Sequence, residues 1–235
     1  MPIAGYWSQK SRNRQPETIF VLHMTCPIFK ANPFGIKKAA QIILQGGVIA
    51  FPTETFYGLA ADSRNEAAIK KVFQVKGREE GNPILLLVVD RSWLSGLVQE
   101  VYPSAERLME KFWPGPLTMV FRASPNLSPL LTANTGKIGI RASGLALARA
   151  LTLAVGRPIT GTSANLSGRP SPSTAEEVVQ SLGEKLDAIL DGGRTAGGLG
   201  TTVLDVSGPS FRVLRDGVVS KKDLEPFFFE PASTN

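Results

Sequence analysis

From residue 34 the chain alternates between two hydrophobic periods, and that alternation constrains the fold more than any single motif. GIKKAAQIILQGG places Ile36, Ala39, Ile42 and Ile43 on one helical face and stops at Gly46-Gly47. VIAFP follows as a strand. NEAAIKKVFQVKG returns to the helical period, with Ala68, Ile69, Val72 and Phe73 on one face and Asn65 as the N-cap. ILLLVV is a short, unbroken apolar run of the kind that forms a buried strand. PSAERLMEKFW and GLALARALTLAVG read as helices, and a further helix capped by Thr174 runs through Leu182. LTMVFRA, KIGIRA, RPITGTS, DAIL, TTVLDV and SFRVLR read as strands, and KKDLEPF as a short closing helix. Roughly seven or eight strands interleaved with helices predict a single α/β domain with a mixed, twisted sheet. The early part suggests βα units and the late part antiparallel additions.

The domain is expected to span residues 24–228. Residues 1–23, with the stretch SQKSRNRQPET, are polar, basic and without periodicity, and predict a disordered arm. Met24 is an alternative start. Residues 229–235 read as a fraying tail. No apolar stretch approaches a membrane span, and the N-terminus lacks the apolar segment of a signal peptide, so a cytoplasmic location is expected.

Cysteine and histidine usage narrows the chemistry. The chain has one of each, Cys26 and His23, both near its N-terminus. An internal disulfide, a Cys-rich zinc site and a Ser-His-Asp triad in the body of the chain are excluded. Arginine, lysine, hydroxyls, carboxylates and backbone amides remain, with Mg²⁺ as the natural metal. The net charge of +6 suits an anionic ligand, a nucleotide or RNA.

Several strand ends carry more hydrogen-bonding chemistry than turning requires. A bare turn needs only Gly, Pro, Asn or Asp. PTETFYGL at 52–59 has two threonines, a glutamate and a tyrosine, and only one of Thr53 and Thr55 is expected to face a given pocket. In KGREEGNP, Lys76 and Arg78 either complement the helix dipole or form an anion clamp. WPGPLT is a rigid turn in which Thr118 is the candidate ligand. TGTSANLSGRPSP, rich in hydroxyls and amides, follows a strand where open α/β sheets bind ligands. Arg141 and Arg215 each end a strand. DGGRTAGGLGTTV is too glycine-rich for packing alone and reads as a mobile loop able to approach a ligand closely.

In this order, FPTETFYGL, KGREEGNP, WPGPLT, IGIRA, TSANLSG, RPSP, DGG with GLGTTV, and FRVLRDG resemble the YrdC-like family of L-threonylcarbamoyladenylate synthases over about residues 34–217. The resemblance implies a twisted sheet with a basic concave cleft. It implies a nucleotidyltransferase that joins L-threonine, bicarbonate and ATP, with Mg²⁺, into threonylcarbamoyl-AMP and pyrophosphate. The product feeds the N6-threonylcarbamoyl modification of adenosine 37 in ANN-decoding tRNAs through a downstream transferase complex that binds transiently. Direct binding of tRNA or double-stranded RNA is also implied. The motif matches place Thr55, Arg141 and Gly161 at threonine. They place Lys76, Arg78, Asn82, Thr118, Lys137, Ser163, Asn165, Ser171, Thr201, Thr202 and Arg215 at ATP. Lys76, Arg78 and Arg215 would stabilise phosphate charge. Three positions depart from the family pattern: Leu87 stands where many members have His, Lys137 where a hydroxyl residue is common, and Gly161 where a larger residue is usual. The expected form is the short, single-domain one. The alternative is a non-catalytic RNA-binding module of the same fold.

Overall fold

The structure is a computed structural model that describes residues 26–228; the expected N-terminal arm and C-terminal tail lie outside the described residues. The elements run β1 (Ile28–Lys30), α1 (Pro33–Leu44), β2 (Ile49–Pro52), β3 (Tyr57–Ala60), α2 (Glu66–Lys76), β4 (Leu86–Val88), α3 (Pro103–Phe112) and β5 (Leu117–Arg122). They continue with α4 (Pro129–Thr132), β6 (Lys137–Ala142), α5 (Ala146–Val155), β7 (Ile159–Thr160), β8 (Thr162–Ser163), α6 (Ala175–Leu182), β9 (Ala188–Asp191), β10 (Thr202–Asp205), β11 (Arg212–Arg215) and α7 (Lys221–Leu224). The predicted helices form where their caps and apolar faces lie. The Asn32, Asn65 and Thr174 side chains accept hydrogen bonds from the first turns of α1, α2 and α6. Each such cap contributes about 1 kcal/mol.

The α/β class and the mixed pairing are as expected, but the strands form two sheets. One has the order β1-β9-β2-β3-β8 and the other β11-β10-β5-β6-β4-β7. The chain crosses between them at Gly161: β7 pairs with β4 in the second sheet, and β8 pairs with β3 in the first. The Gly161 amide donates to the Leu85 carbonyl at 2.9 Å. A Cβ at Gly161 would lie 2.7 Å from Leu85 Cδ1 and 2.9 Å from Leu87 Cγ, so the crossing leaves no room for a side chain.

The expected order of pairings is also corrected. β2 turns straight back into β3 as an antiparallel pair, not into a βα unit, because PTET is a tight turn closed by Thr53 N donating to the Phe56 carbonyl at 3.1 Å. β9, late in the chain, lies parallel to both β1 and β2. Hydrophobic period reports which face is buried; it carries no information about which strand lies alongside.

In the second sheet, alternation places everything that follows. Leu117, Met119 and Phe121 of β5, Ile138, Ile140 and Ala142 of β6, and Leu204 of β10 enter a core with Ile69, Val72 and Phe73 of α2 and Leu108 of α3. Successive side chains of a strand face opposite sides. The intervening residues Thr118, Val120, Lys137, Gly139, Arg141, Val203 and Asp205 therefore share the other face, and all of them line one cavity. A second apolar cluster, with Ala39 and Ile43 of α1, Leu151 of α5, and Ile49 and Phe51 of β2, backs the first sheet.

Candidate active site

The cavity encloses about 710 Å³ between the two sheets, within the range typical of small-molecule and cofactor sites. The second sheet lines it through β5, β6, β10 and β11. Phe51, Thr53, Thr55, Phe56, Tyr57 and Gly58 come from the β2–β3 hairpin. Arg78, Pro83 and Leu85 come from the segment between α2 and β4, and Ser163 and Ser171 from the segment around β8. The charged side chains lining it are Arg78, Lys137, Arg141, Arg212 and Arg215 against Asp205 and Asp216, so the wall is predominantly cationic.

Of the candidates named from the sequence, the structure brings Thr55, Arg78, Thr118, Lys137, Arg141, Gly161, Ser163, Ser171, Thr201 and Arg215 to this cavity. Thr53 joins them, against the expectation that only one of the two threonines would face it. Their hydroxyls are 3.2 Å apart. The turn itself brings them together: the Thr55 amide donates to the Thr53 hydroxyl at 3.2 Å, and that hydroxyl also donates to the Phe56 carbonyl at 2.7 Å, which closes the turn. Tyr57 has a different task. Its hydroxyl donates to the Gly193 carbonyl at 2.8 Å and anchors the start of the glycine-rich loop. Burial, the largest influence, pushes that phenol up to about 12, so it stays protonated and remains a donor.

Arg141 is almost wholly buried. Its Nη1 donates to Glu54 Oε1 at 2.8 Å, the second Glu54 oxygen accepts from the Ser143 hydroxyl, and the Arg141 Nε is buried without a partner. Burial pushes the guanidinium pKa down, with nearby Arg215 acting in the same direction and Glu54 against it. Arg215 donates through Nε and Nη2 to the Thr201 carbonyl at 3.2 and 2.8 Å. Thr201 Oγ1 in turn lies 2.9 Å from Thr118 Oγ1, so β11, β10 and β5 are joined by one polar chain across the floor. Arg78 stacks over the Phe73 ring at 5.2 Å and its Nη2 reaches the Asn82 carbonyl at 3.4 Å. Its Nε is also buried without a partner, and burial lowers its pKa. Lys137 pairs with Asp205 at 2.8 Å. Burial alone would raise the Asp205 carboxyl, yet the Lys137 and Ser207 hydrogen bonds hold it below its usual range.

Lys76, Asn82, Asn165 and Thr202 are not among the residues lining the cavity. Thr202 faces the core, where its hydroxyl donates to the Val219 carbonyl at 2.7 Å and accepts from the Val219 amide at 3.0 Å. Asn165 spends its side-chain amide on the Arg169 carbonyl. Asn82 offers its backbone carbonyl to Arg78, as above. Lys76 is 3% exposed and holds the TSAN segment from beneath, with Nζ 2.5 Å from the Ser163 carbonyl and 3.0 Å from the Asn165 carbonyl. Burial, aided by Arg78, brings its pKa down to about 8. Below that pH the lysine is charged in both folded and unfolded chains. Between about 8 and 10.4 the unfolded chain binds more protons, so stability rises with pH there. The unfolding free energy of wild type relative to Lys76→Met is expected to be flat below pH 8 and to grow across that window. A flat difference throughout would show an ordinary lysine.

Glu54, Thr53 and Asp205 were not singled out as site residues from the sequence. The signal for Glu54 was available only as an excess of polar groups in the PTET turn. Asp205 could have been found by counting alternate positions along TTVLDV from Thr201.

The comparisons with known proteins bear on this geometry. The Sua5_yciO_yrdC family model, described as "Telomere recombination", matches residues 41–217. The chain belongs to the Sua5/YciO/YrdC family. A relative from Bacillus subtilis named threonylcarbamoyl-AMP synthase is 41% identical over 191 residues, covering 81% of this chain and 55% of that protein. One of the same name from Nitrosococcus oceani is 35% identical over 176 residues, covering 74% of this chain and 92% of its own length. The structure of P. abyssi Sua5 complexed with L-threonine superposes with a TM-score of 0.82 at 34% identity, over 86% of this chain and 60% of that one. The chain thus spans about half the length of the B. subtilis relative. Within the Sua5/YciO/YrdC fold, two of the sequence departures meet in space. Leu87 is buried in β4, and a Cβ at Gly161 would lie 2.9 Å from its Cγ. The third departure, Lys137, finds a carboxylate partner in Asp205.

Proposed function

We propose that this protein is an L-threonylcarbamoyladenylate synthase, converting L-threonine, bicarbonate and ATP into threonylcarbamoyl-AMP and pyrophosphate. The observation that carries this reading is the cavity itself. It has a mostly cationic wall, paired threonine hydroxyls, and two arginines whose Nε groups are buried without a partner, in a fold shared with a threonine complex. Two of its three ligands are anionic, and the third is an amino acid whose carboxylate suits an arginine.

Bicarbonate loses hydroxide to give CO₂, the neutral threonine amine attacks its carbon to form a C–N bond, and the proton the amine releases leaves with the hydroxide as water. An oxygen of the resulting carbamate attacks the α-phosphorus of ATP, the bond from that phosphorus to the bridging oxygen breaks, and pyrophosphate leaves. No protein nucleophile takes part. Catalysis comes from positioning and from charge stabilisation. Arg141 holds the threonine carboxylate, with Thr55 and the backbone at Gly161 beside it. Arg78 and Arg215 meet the phosphate charge, and Thr118, Thr201, Ser163 and Ser171 supply hydrogen bonds to the nucleotide. Lys76 contributes by supporting the TSAN segment. Magnesium enters as part of the nucleotide substrate. Among the described residues no group of three or more His, Cys, Asp or Glu is placed to hold a metal ion. The product supplies the threonylcarbamoyl group for adenosine 37 of ANN-decoding tRNAs, through a transferase complex in the cytoplasm. Among the described residues no helix is long and apolar enough to cross a membrane.

The test is pyrophosphate release from Mg-ATP and bicarbonate with and without L-threonine. Release that requires threonine, with an adenylate product that decays to AMP, is the expected result. RNA binding that weakens steeply with salt, with no threonine-dependent release, would instead favour a nucleic-acid-binding module.

A further inference from the structure

We propose that Glu54 is a positioning residue for the carboxylate-binding arginine; this rests on the synthase reading above. Glu54 is not itself among the residues that line the cavity. Its side chain packs against Gly144, where a Cβ would lie 3.6 Å from Glu54 Cγ. One carboxylate oxygen takes Arg141 Nη1 at 2.8 Å and the other takes the Ser143 hydroxyl. Ser143 lies just past the end of β6, two residues beyond Arg141, and its hydroxyl also accepts from the Leu145 amide at 3.3 Å. The glutamate is therefore held from two sides and in turn fixes one edge of the guanidinium.

The electrostatics point the same way. Arg215 disfavours the charge on the buried Arg141, and Glu54, hydrogen-bonded to it, acts against that effect. Without Glu54, Arg141 would be a buried cation with no fixed orientation, free to swing among the polar groups of the cavity, and a bidentate contact to substrate would lose its geometry.

The experiment measures pyrophosphate release with Michaelis constants for L-threonine and ATP determined separately, alongside calorimetric titration of L-threonine. Glu54→Ala is expected to raise the threonine KM at least about tenfold while leaving the ATP KM within about twofold. Glu54→Gln keeps an oxygen that can accept from Arg141 Nη1 and replaces the second acceptor with an amide N–H, toward which the Ser143 hydroxyl must turn to accept; it is expected to stay within about threefold of wild type for threonine. Ser143→Ala, which releases the far oxygen of Glu54, should raise the threonine KM in the same direction by less. A merely structural role would lower thermal stability without separating the two Michaelis constants. Glu54→Ala with an unchanged threonine KM, or with both constants raised equally, overturns the proposal. If Glu54→Ala does not fold, the other two variants decide: a tenfold loss in Glu54→Gln, or no change in Ser143→Ala, overturns it. Should wild type neither bind L-threonine nor release pyrophosphate, it is the synthase reading that fails.

Discussion

Arg141→Ala is expected to raise the KM for L-threonine by at least about tenfold and to cost stability as well. From the strand-end position alone, only the first effect is expected. The structure adds the second, because the arginine is buried in an ion pair and its removal strands Glu54 without its main partner. Breaking a buried pair by deleting one member costs about 3–5 kcal/mol, and the partial exposure of Glu54 puts this case at the lower end. Chemical denaturation and steady-state kinetics separate the two effects. The double variant with Glu54→Ala should recover part of the lost stability but none of the threonine affinity, since removing both charges leaves no unpaired ion. A wild-type threonine KM in Arg141→Ala would remove the carboxylate role, and a wild-type denaturation midpoint would remove the energetic importance of the pair.

Gly217→Ala is expected to be equally damaging from the opposite rim. A Cβ there would sit 2.4 Å from Gly200 O, Thr201 C and Thr202 N, all backbone atoms that cannot rotate away. The following residues are tied to the same stretch, by Val218 N to the Gly200 carbonyl at 3.0 Å and by the paired Thr202–Val219 hydrogen bonds. The turn therefore moves as a unit, and Arg215, two residues before, is drawn off Thr201. Overpacking costs typically about 1–3 kcal/mol, and a clash with backbone belongs at the top of that range. Turnover at saturating substrates should fall at least about tenfold, because the arginine that meets phosphate charge is displaced. A variant with wild-type melting temperature and turnover would mean that the turn yields freely and that Arg215 does not depend on it.

Much of the site was legible because it is built on alternation. The KIGIRA and LTMVFRA patterns already separate Ile138 and Ile140 from Lys137 and Arg141, and Met119 from Thr118. The same rule shows why naming both Thr201 and Thr202 as ligands could not hold: adjacent residues entering a strand face opposite ways, and Thr202 went to the core. What the pattern does not encode is pairing. YGLA is four residues long and begins inside a motif that looks like a turn, so β3 was absorbed into the loop before it. One of the passages between the two sheets, at Gly161, falls within a run, RPITGTS, that reads as a single strand. Lys76 shows a further limit. A cation at a helix end next to an arginine suggests an anion clamp, while its actual partners are carbonyls from a segment 87 and 89 residues away in sequence.

The placing of Lys137, Gly139 and Arg141 on every second position of one strand also governs how this cavity can change over evolutionary time. Loss or gain of a single codon within β6 would turn Ile138 and Ile140 into the cavity and drive two cations into the apolar core. Substitution can therefore alter the floor one group at a time. Length variation is confined to the connecting loops, where it can reshape the rim without touching the spacing of the charges beneath.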